Sequence, residues 1–108
     1  MSYKVKTIVV FERQAKRLIK KYPSLKTELR ELTAQLKEKP TQGTPIGNDC
    51  RKIRLAIASK GKGKSGGARV IIHVIFKADT VYLLAIYDKS DIENLSDKEV
   101  LGLVKLIG

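Results

Sequence analysis

The stretch from Ala68 to Asp88 reads ARVIIHVIFKADTVYLLAIYD, and its residue pattern is the strongest indication of the fold class. Two runs rich in β-branched and aromatic residues, Ala68–Lys77 and Val81–Asp88, flank the short turn 78–80. Runs of this composition that are separated by a tight turn are typical of adjacent antiparallel strands. The preceding run Arg51–Ser59 alternates in the same way. The sequence therefore predicts a three-stranded antiparallel meander.

The first half of the chain predicts one strand and a helical hairpin. Tyr3–Val10 is rich in β-branched residues and is predicted to be a strand. Apolar residues then recur with helical spacing up to Tyr22, and again from Leu25 to Leu36. Two amphipathic helices joined by so short a turn lie antiparallel. The following segment 40–49, rich in Gly, Pro, Thr and Asn, is predicted to be a loop.

The chain closes with a well-marked helix start. Ser96 and Glu99 have the S-x-x-E spacing of a capping box, and an apolar stripe beginning at Val100 follows them. The predicted order is β-α-α-β-β-β-α. This order predicts a single α+β domain, residues 1–108, in which the helical hairpin and the C-terminal helix pack on one face of an antiparallel sheet.

Charge is distributed unevenly along the chain. The 108 residues carry 22 Lys plus Arg against 11 Asp plus Glu, a net charge of +11. Between Arg51 and Ala78 there are eight basic residues and no acidic one, whereas acids dominate from Asp88 to Glu99. A basic region concentrated in this way favours a phosphate-rich partner such as a nucleic acid.

Several classes of protein are excluded by what the sequence lacks. No apolar run approaches the roughly 20 residues of a membrane-spanning helix, so we expect a soluble cytoplasmic protein. Cys50 is the only cysteine, which excludes an internal disulfide and a multi-thiolate zinc site. Nucleotide-binding, nucleophile-elbow and zinc-protease motifs are absent. We therefore expect neither a cofactor nor a metal.

The alternation of the strands predicts a candidate site. If the apolar residues face the helices, the basic side chains of the first two strands share the opposite face, and Tyr87 lies at its rim. The basic residues predicted there are Lys52, Arg54 and Arg69. An ordinary solvated sheet face would show the same alternation. His73, between two isoleucines, is predicted to be a packing residue.

Three stretches resemble the RelE/ParE toxin superfamily, and most closely its HigB-like branch of type II toxin–antitoxin systems. They are RKIRL at 51–55, SKGKGKSGGARVI at 59–71 and LLAIYDKS at 83–90. The resemblance covers nearly the whole chain. It implies a toxin that cleaves mRNA on the ribosome, without a metal, by attack of a 2′-OH on the adjacent phosphate. It also implies three partners: a cognate antitoxin, the ribosome and mRNA.

The resemblance also implies roles for individual residues. Arg69 matches the strand arginine that stabilises the phosphate, and Tyr87 and Lys89 match the end of the last strand. Arg54 and Lys52 match basic positions of the preceding strand. Lys60, Lys62 and Lys64 belong to the Gly/Lys loop and are expected to bind RNA. The base that takes the 2′-OH proton stays open among Lys52, Lys89 and an ionised Tyr87.

Two other functions fit the same sequence. A ParE-like inhibitor of DNA gyrase would have the same fold, because fold does not determine function. A non-catalytic basic RNA-binding module would have the same charge, although Tyr87 and Tyr82 are the only aromatic side chains placed to stack on bases.

Overall fold

The structure, a computed structural model, describes residues 2–61, 66–92 and 94–108. In these ranges the chain forms a five-stranded sheet and three α-helices. The elements are β1 (Lys4–Thr7), α1 (Val9–Lys21), α2 (Leu25–Glu38), β2 (Thr44–Gly47), β3 (Cys50–Leu55), β4 (Ala68–Ile75), β5 (Thr80–Asp88) and α3 (Asp97–Val104). The predicted α+β class and the helical hairpin are confirmed.

The strands lie in the order β1-β5-β4-β3-β2. Strands β3, β4 and β5 form the predicted antiparallel meander, and β1 pairs with β5 in parallel. Pairing of β4 with β5 shifts between Ile71 and Ile72, where a bulge interrupts the ladder. On either side of this bulge the alternation of faces is regular, so the predicted set of inward and outward residues holds near Arg69.

The predicted strand Arg51–Ser59 ends at Leu55, and Ala58–Lys60 form a short 3-10 helix instead. Two further local predictions are wrong. The predicted first strand ends at Thr7 instead of Val10, because Val9 and Val10 already belong to the first turn of α1, whose first buried residue is Phe11. The predicted loop 40–49 contains β2. Asn48 and Asp49, with φ of 55° and 56°, make the two-residue turn that joins β2 to β3. Such left-handed pairs are typical of tight hairpins.

Helices cover both faces of the sheet. The hairpin α1–α2 buries the face that carries Val70, Ile72 and Ile86. Helix α3 packs against β5 on the other face, where Asn94, just before it, accepts a hydrogen bond from Lys52. The prediction that all three helices share one face is therefore wrong. The apolar stripe of α3 needs an apolar surface of its own, and buried residues such as Ile71 and Ala85 provide it.

The hairpin α1–α2 and helix α3 are held by different local interactions. The capping box of α3 is confirmed: the Ser96 hydroxyl accepts from the Glu99 N–H, and the Glu99 carboxylate accepts from the Ser96 N–H. Ser24 stands at the start of α2, but its hydroxyl bonds Glu28 and Ser59 rather than capping the backbone.

None of the described helices combines the length and apolar character that crossing a membrane requires.

Candidate active site

Arg54, Arg69 and Tyr87 form a row across three neighbouring strands. Arg54 lies opposite Arg69 in the β3–β4 pair, and Arg69 lies opposite Tyr87 in the β4–β5 pair. Residues directly opposite in antiparallel strands point to the same face with Cβ atoms about 5 Å apart. The structure therefore brings together three of the five predicted catalytic residues, as the alternation indicated. Below we call this set the Arg–Arg–Tyr row.

Arg69 is buried, with only 3% of its surface exposed. Its Nη1 donates to the carbonyl of Ala68 at 3.1 Å. Burial lowers the pKa of Arg69, the neighbouring Arg54 guanidinium lowers it further, and Tyr87 opposes both effects. Arg69 therefore does not lie on an ordinary solvated sheet face, because the side of the sheet that bears it is the one to which α3 is packed.

Tyr87 is also buried, with 5% exposure, and does not lie at a rim as predicted. Its hydroxyl is buried and has no hydrogen-bond partner among the described residues. Burial raises the pKa of Tyr87, and the Arg69 charge only partly offsets this. The side chain is therefore a neutral phenol near pH 7, with its hydroxyl beside the Arg69 guanidinium. Unpartnered buried hydroxyls are uncommon and call for an explanation.

Lys52 and Lys89 lie on two sides of the Arg–Arg–Tyr row. Lys52 is two residues from Arg54 on the same strand face, and its Nζ donates to Asn94 Oδ1 at 2.7 Å. Lys89 follows directly after β5 and is exposed; its backbone N–H donates to the carbonyl of Gly67 at 3.1 Å. Both amines are close in sequence to a member of the row.

The predicted loop lysines are not equivalent. Lys60 Nζ is in an ion pair with Asp88, and the Lys60 side chain is only 10% exposed. The same Nζ lies 5.7 Å from the centroid of the Tyr22 ring. Lys62 and Lys64 lie outside the described residues. Lys60 therefore has its charge satisfied inside the protein.

Asp88 is a residue that the sequence reasoning missed. Its side chain is fully buried and accepts from Lys60 and from the N–H and hydroxyl of Ser90 on Oδ1, and from the Tyr22 hydroxyl on Oδ2 at 2.9 Å. Burial alone would raise the pKa of Asp88, but these hydrogen bonds together hold it well below its ordinary value. The only sequence feature that could have indicated its role is its position between Tyr87 and Lys89, two predicted site residues.

Gly67 has a packing role at this end of the sheet. A Cβ atom built on Gly67 would lie 2.1 Å from the carbonyl oxygen of Leu55, which is far closer than real contacts. Gly67 thus lets β3 approach the start of β4, one strand pair away from Asp88. Gly67 is therefore explained by close packing between these two strands.

The remaining candidate ligands and nucleophiles lie apart from the row. His73 is half-buried, and its Nδ1 is 3.5 Å from Cys50 Sγ. Burial raises the pKa of the Cys50 thiol to about 11, so a reactive thiolate is disfavoured. Over the part of the chain that the structure describes, no three His, Cys, Asp or Glu side chains group as a metal site would require.

Comparison with known proteins identifies the family. The family model described as "RelE toxin of RelE / RelB toxin-antitoxin system" matches residues 5–107. A double mutant of the E. coli toxin RelE in the free state has 21% sequence identity and a TM-score of 0.62, with 100% of both chains covered. The isolated E. coli RelE toxin has 18% identity and a TM-score of 0.58, covering 98% of this chain and 100% of that chain. At these identities the two structures show a shared fold. Because the family model spans nearly the whole chain, this protein belongs to the RelE toxin family and is the toxin of a toxin–antitoxin system.

Proposed function

We propose that this toxin cleaves mRNA on the ribosome by a metal-independent attack of a ribose 2′-OH on the adjacent phosphate. In this step a base takes the 2′-OH proton and a bond forms between the 2′-oxygen and phosphorus. The bond from phosphorus to the 5′-oxygen breaks, and that oxygen takes up a proton. The observation that carries the proposal is the Arg–Arg–Tyr row on one face of the sheet.

The charges of the row favour an anion between them. Like charges directly opposite each other in a sheet are destabilising. The pairing of Arg54 with Arg69 is such a case. Burial is the main cause that lowers the pKa of Arg69, and the Arg54 charge lowers it further. A phosphate between the two guanidiniums would interact favourably with both charges. An arginine fork binds two phosphate oxygens at once, and the charge that develops in the transition state strengthens these bonds.

Tyr87 is suited to donating a hydrogen bond rather than to acting as the base. Its raised pKa keeps the phenol protonated, and its hydroxyl is unpartnered among the described residues. In our proposal this hydroxyl donates to a phosphate oxygen or to the leaving 5′-oxygen. The base is then Lys52 or Lys89, the two amines near the row. General acid–base groups of this kind contribute about 10²–10⁴-fold to a rate.

Access to the row is part of the proposal. Arg69 and Tyr87 are both less than one-tenth exposed, so RNA reaches them only when the residues that cover this face shift. Arg54 is exposed and would meet the phosphate backbone first. The net charge of +11 favours association with ribosomal RNA and mRNA over long distances. Ribosome, mRNA and a cytoplasmic location therefore belong to this proposal together.

Induced expression followed by primer extension on cellular transcripts tests the proposed function. We expect new 5′ ends inside translated reading frames, and none when translation initiation is blocked. Purified protein is then added to stalled ribosomes in the presence of EDTA, which should leave cleavage unchanged. Absence of cleavage together with inhibition of gyrase supercoiling would contradict the proposal and support the ParE-like alternative. RNA binding without cleavage would support the non-catalytic module.

A further inference from the structure

The Asp88 carboxylate joins three separate segments of the chain. It accepts hydrogen bonds from Tyr22 at the end of α1, from Lys60 after β3, and from Ser90 just beyond β5. Tyr22 lies 66 positions away in the sequence and Lys60 lies 28 positions away. The end of β5 is therefore held by side-chain contacts from these three segments in addition to its strand pairing.

Two residues that flank the Lys/Gly-rich stretch of the sequence contact the same end of β5. Lys60, which precedes the stretch, is paired with Asp88. Gly67, which follows it, accepts from the backbone N–H of Lys89 at 3.1 Å. In the β4–β5 ladder Asp88 lies opposite Ala68, next to the Arg69–Tyr87 pair. Both attachments thus flank Tyr87 within two residues.

We infer that Asp88 is a positioning residue of the RNA-cleavage site, whose carboxylate holds Lys60 and Tyr22 and thereby fixes Tyr87 and Lys89 relative to Arg69. This inference rests on the proposed function. In this inference Asp88 does not contact RNA, because both of its carboxylate oxygens already accept hydrogen bonds from within the protein. Lys60 is the cationic partner of Asp88, and we call Asp88 with its partners Lys60 and Tyr22 the clamp.

Stability alone is a weak reason for such an arrangement. A buried ion pair is often no more stabilising than apolar residues of similar volume. Asp88 nevertheless accepts hydrogen bonds on both carboxylate oxygens, and these bonds restrain both the position and the orientation of its side chain. It is flanked by two residues whose placement the proposed chemistry requires. Misplacement of a reacting group by about 1 Å can cost about 10²-fold in rate.

Four variants separate positioning from stability. Asp88→Asn and Lys60→Met each break the pair and leave one buried partner without its counter-charge. The double variant removes both charges at once and should recover much of the lost stability. Lys60→Arg keeps the cation and serves as the conservative variant. Leu36→Ala, in the core contact of α2 far from Asp88, is the control for a general loss of stability.

We measure cleavage of ribosome-bound mRNA as kcat and KM, and amide hydrogen exchange in the free protein. Each single variant and the double variant should lower kcat by about 10²-fold with KM little changed. Exchange of the Lys89 amide should accelerate, whereas the Val74 amide, bonded to Asp49, serves as the reference and stays protected. Lys60→Arg should retain more of the cleavage rate than Lys60→Met. Leu36→Ala, assayed where it is folded, should keep the kcat of the unmodified protein.

Three results would overturn the inference. If the double variant regains kcat together with stability, the clamp is a stability device only. If Lys60→Met raises KM while Asp88→Asn does not, Lys60 contacts RNA directly. If the Lys89 amide exchanges equally in all variants, Asp88 does not order the end of β5. Failure of the proposed function is distinguishable, because the unmodified protein would then cut no mRNA while the exchange measurement still decides the clamp.

Discussion

Arg69 lies directly opposite Tyr87 in the β4–β5 pair, and the Tyr87 hydroxyl beside it has no hydrogen-bond partner among the described residues. A buried hydroxyl of this kind carries a desolvation cost of about 1–3 kcal/mol. Within the RelE toxin family this cost is understandable if the hydroxyl meets its partner only when RNA is bound. The pair therefore links the stability of the free protein to the chemistry that we propose.

Replacement of Tyr87 by Phe tests this link. Because no described residue bonds the hydroxyl, Tyr87→Phe should leave the free energy of unfolding unchanged or raise it by about 1 kcal/mol. Loss of the donor should lower the cleavage rate by about 10²-fold. Urea unfolding and cleavage of ribosome-bound mRNA measure the two effects. A clear loss of stability would show that the hydroxyl is bonded in the free protein.

Arg69 variants test phosphate stabilisation. Arg69→Ala should lower cleavage by about 10²–10³-fold, as loss of a preorganised donor does. Because Arg69 is buried, alanine also leaves a cavity, so Arg69→Met is the variant that keeps volume without charge. Arg69→Lys should restore cleavage only in part, since an ammonium lacks the planar fork. Cleavage by Arg69→Met near the unmodified rate would refute the role assigned to the guanidinium.

Asp88 predicts how stability depends on pH. Its folded-state pKa is lowered, so the ionised form stabilises the fold at neutral pH. This contribution is complete above the unfolded pKa of about 4 and is lost as the pH falls below it toward the folded pKa. Urea unfolding at a series of pH values from neutral downward should show the decline, and Asp88→Asn should show a smaller one. Parallel curves for the two proteins would contradict this assignment.

Salt should weaken association with ribosomes. Each phosphate contact adds close to one unit to the slope of log affinity against log salt concentration. Arg54 is exposed on the row, so Arg54→Ala should reduce the slope by about 1. Lys37→Ala, at the exposed end of α2, is the control and should leave the slope unchanged. Equal slopes for the unmodified protein and Arg54→Ala would place Arg54 away from RNA.

The row was predictable from the sequence because it depends on local rules. Alternation within strands and short connections between them are sufficient to place Arg54, Arg69 and Tyr87 on one face. The capping box at Ser96 and Glu99 was predictable for the same reason. In both cases the deciding residues are only a few positions apart or belong to adjacent strands.

Burial of the row and the contacts of Asp88 were not predictable in this way. The choice of the sheet face on which α3 packs is a tertiary contact, and no periodic pattern in the sequence indicates it. The hydrogen bond between Tyr22 and Asp88 joins residues 66 positions apart, and no sequence motif around either residue predicts the contact. Strand β2 was missed because it has four residues, one of them Pro45, and lies at the sheet edge. Such short edge strands have weak propensity signals.

The parallel pairing of β1 with β5 has a consequence for synthesis. Val5 pairs with Val81, about 76 residues further along the chain. At roughly 5–20 residues per second, β1 waits about 4–15 s for its partner to be translated. Tyr87 and Lys89 emerge later still, so a nascent chain holds Arg54 and Arg69 without the rest of the site. Under the proposed function, a nascent chain that has not yet reached Lys89 could not cleave mRNA on the ribosome that makes it.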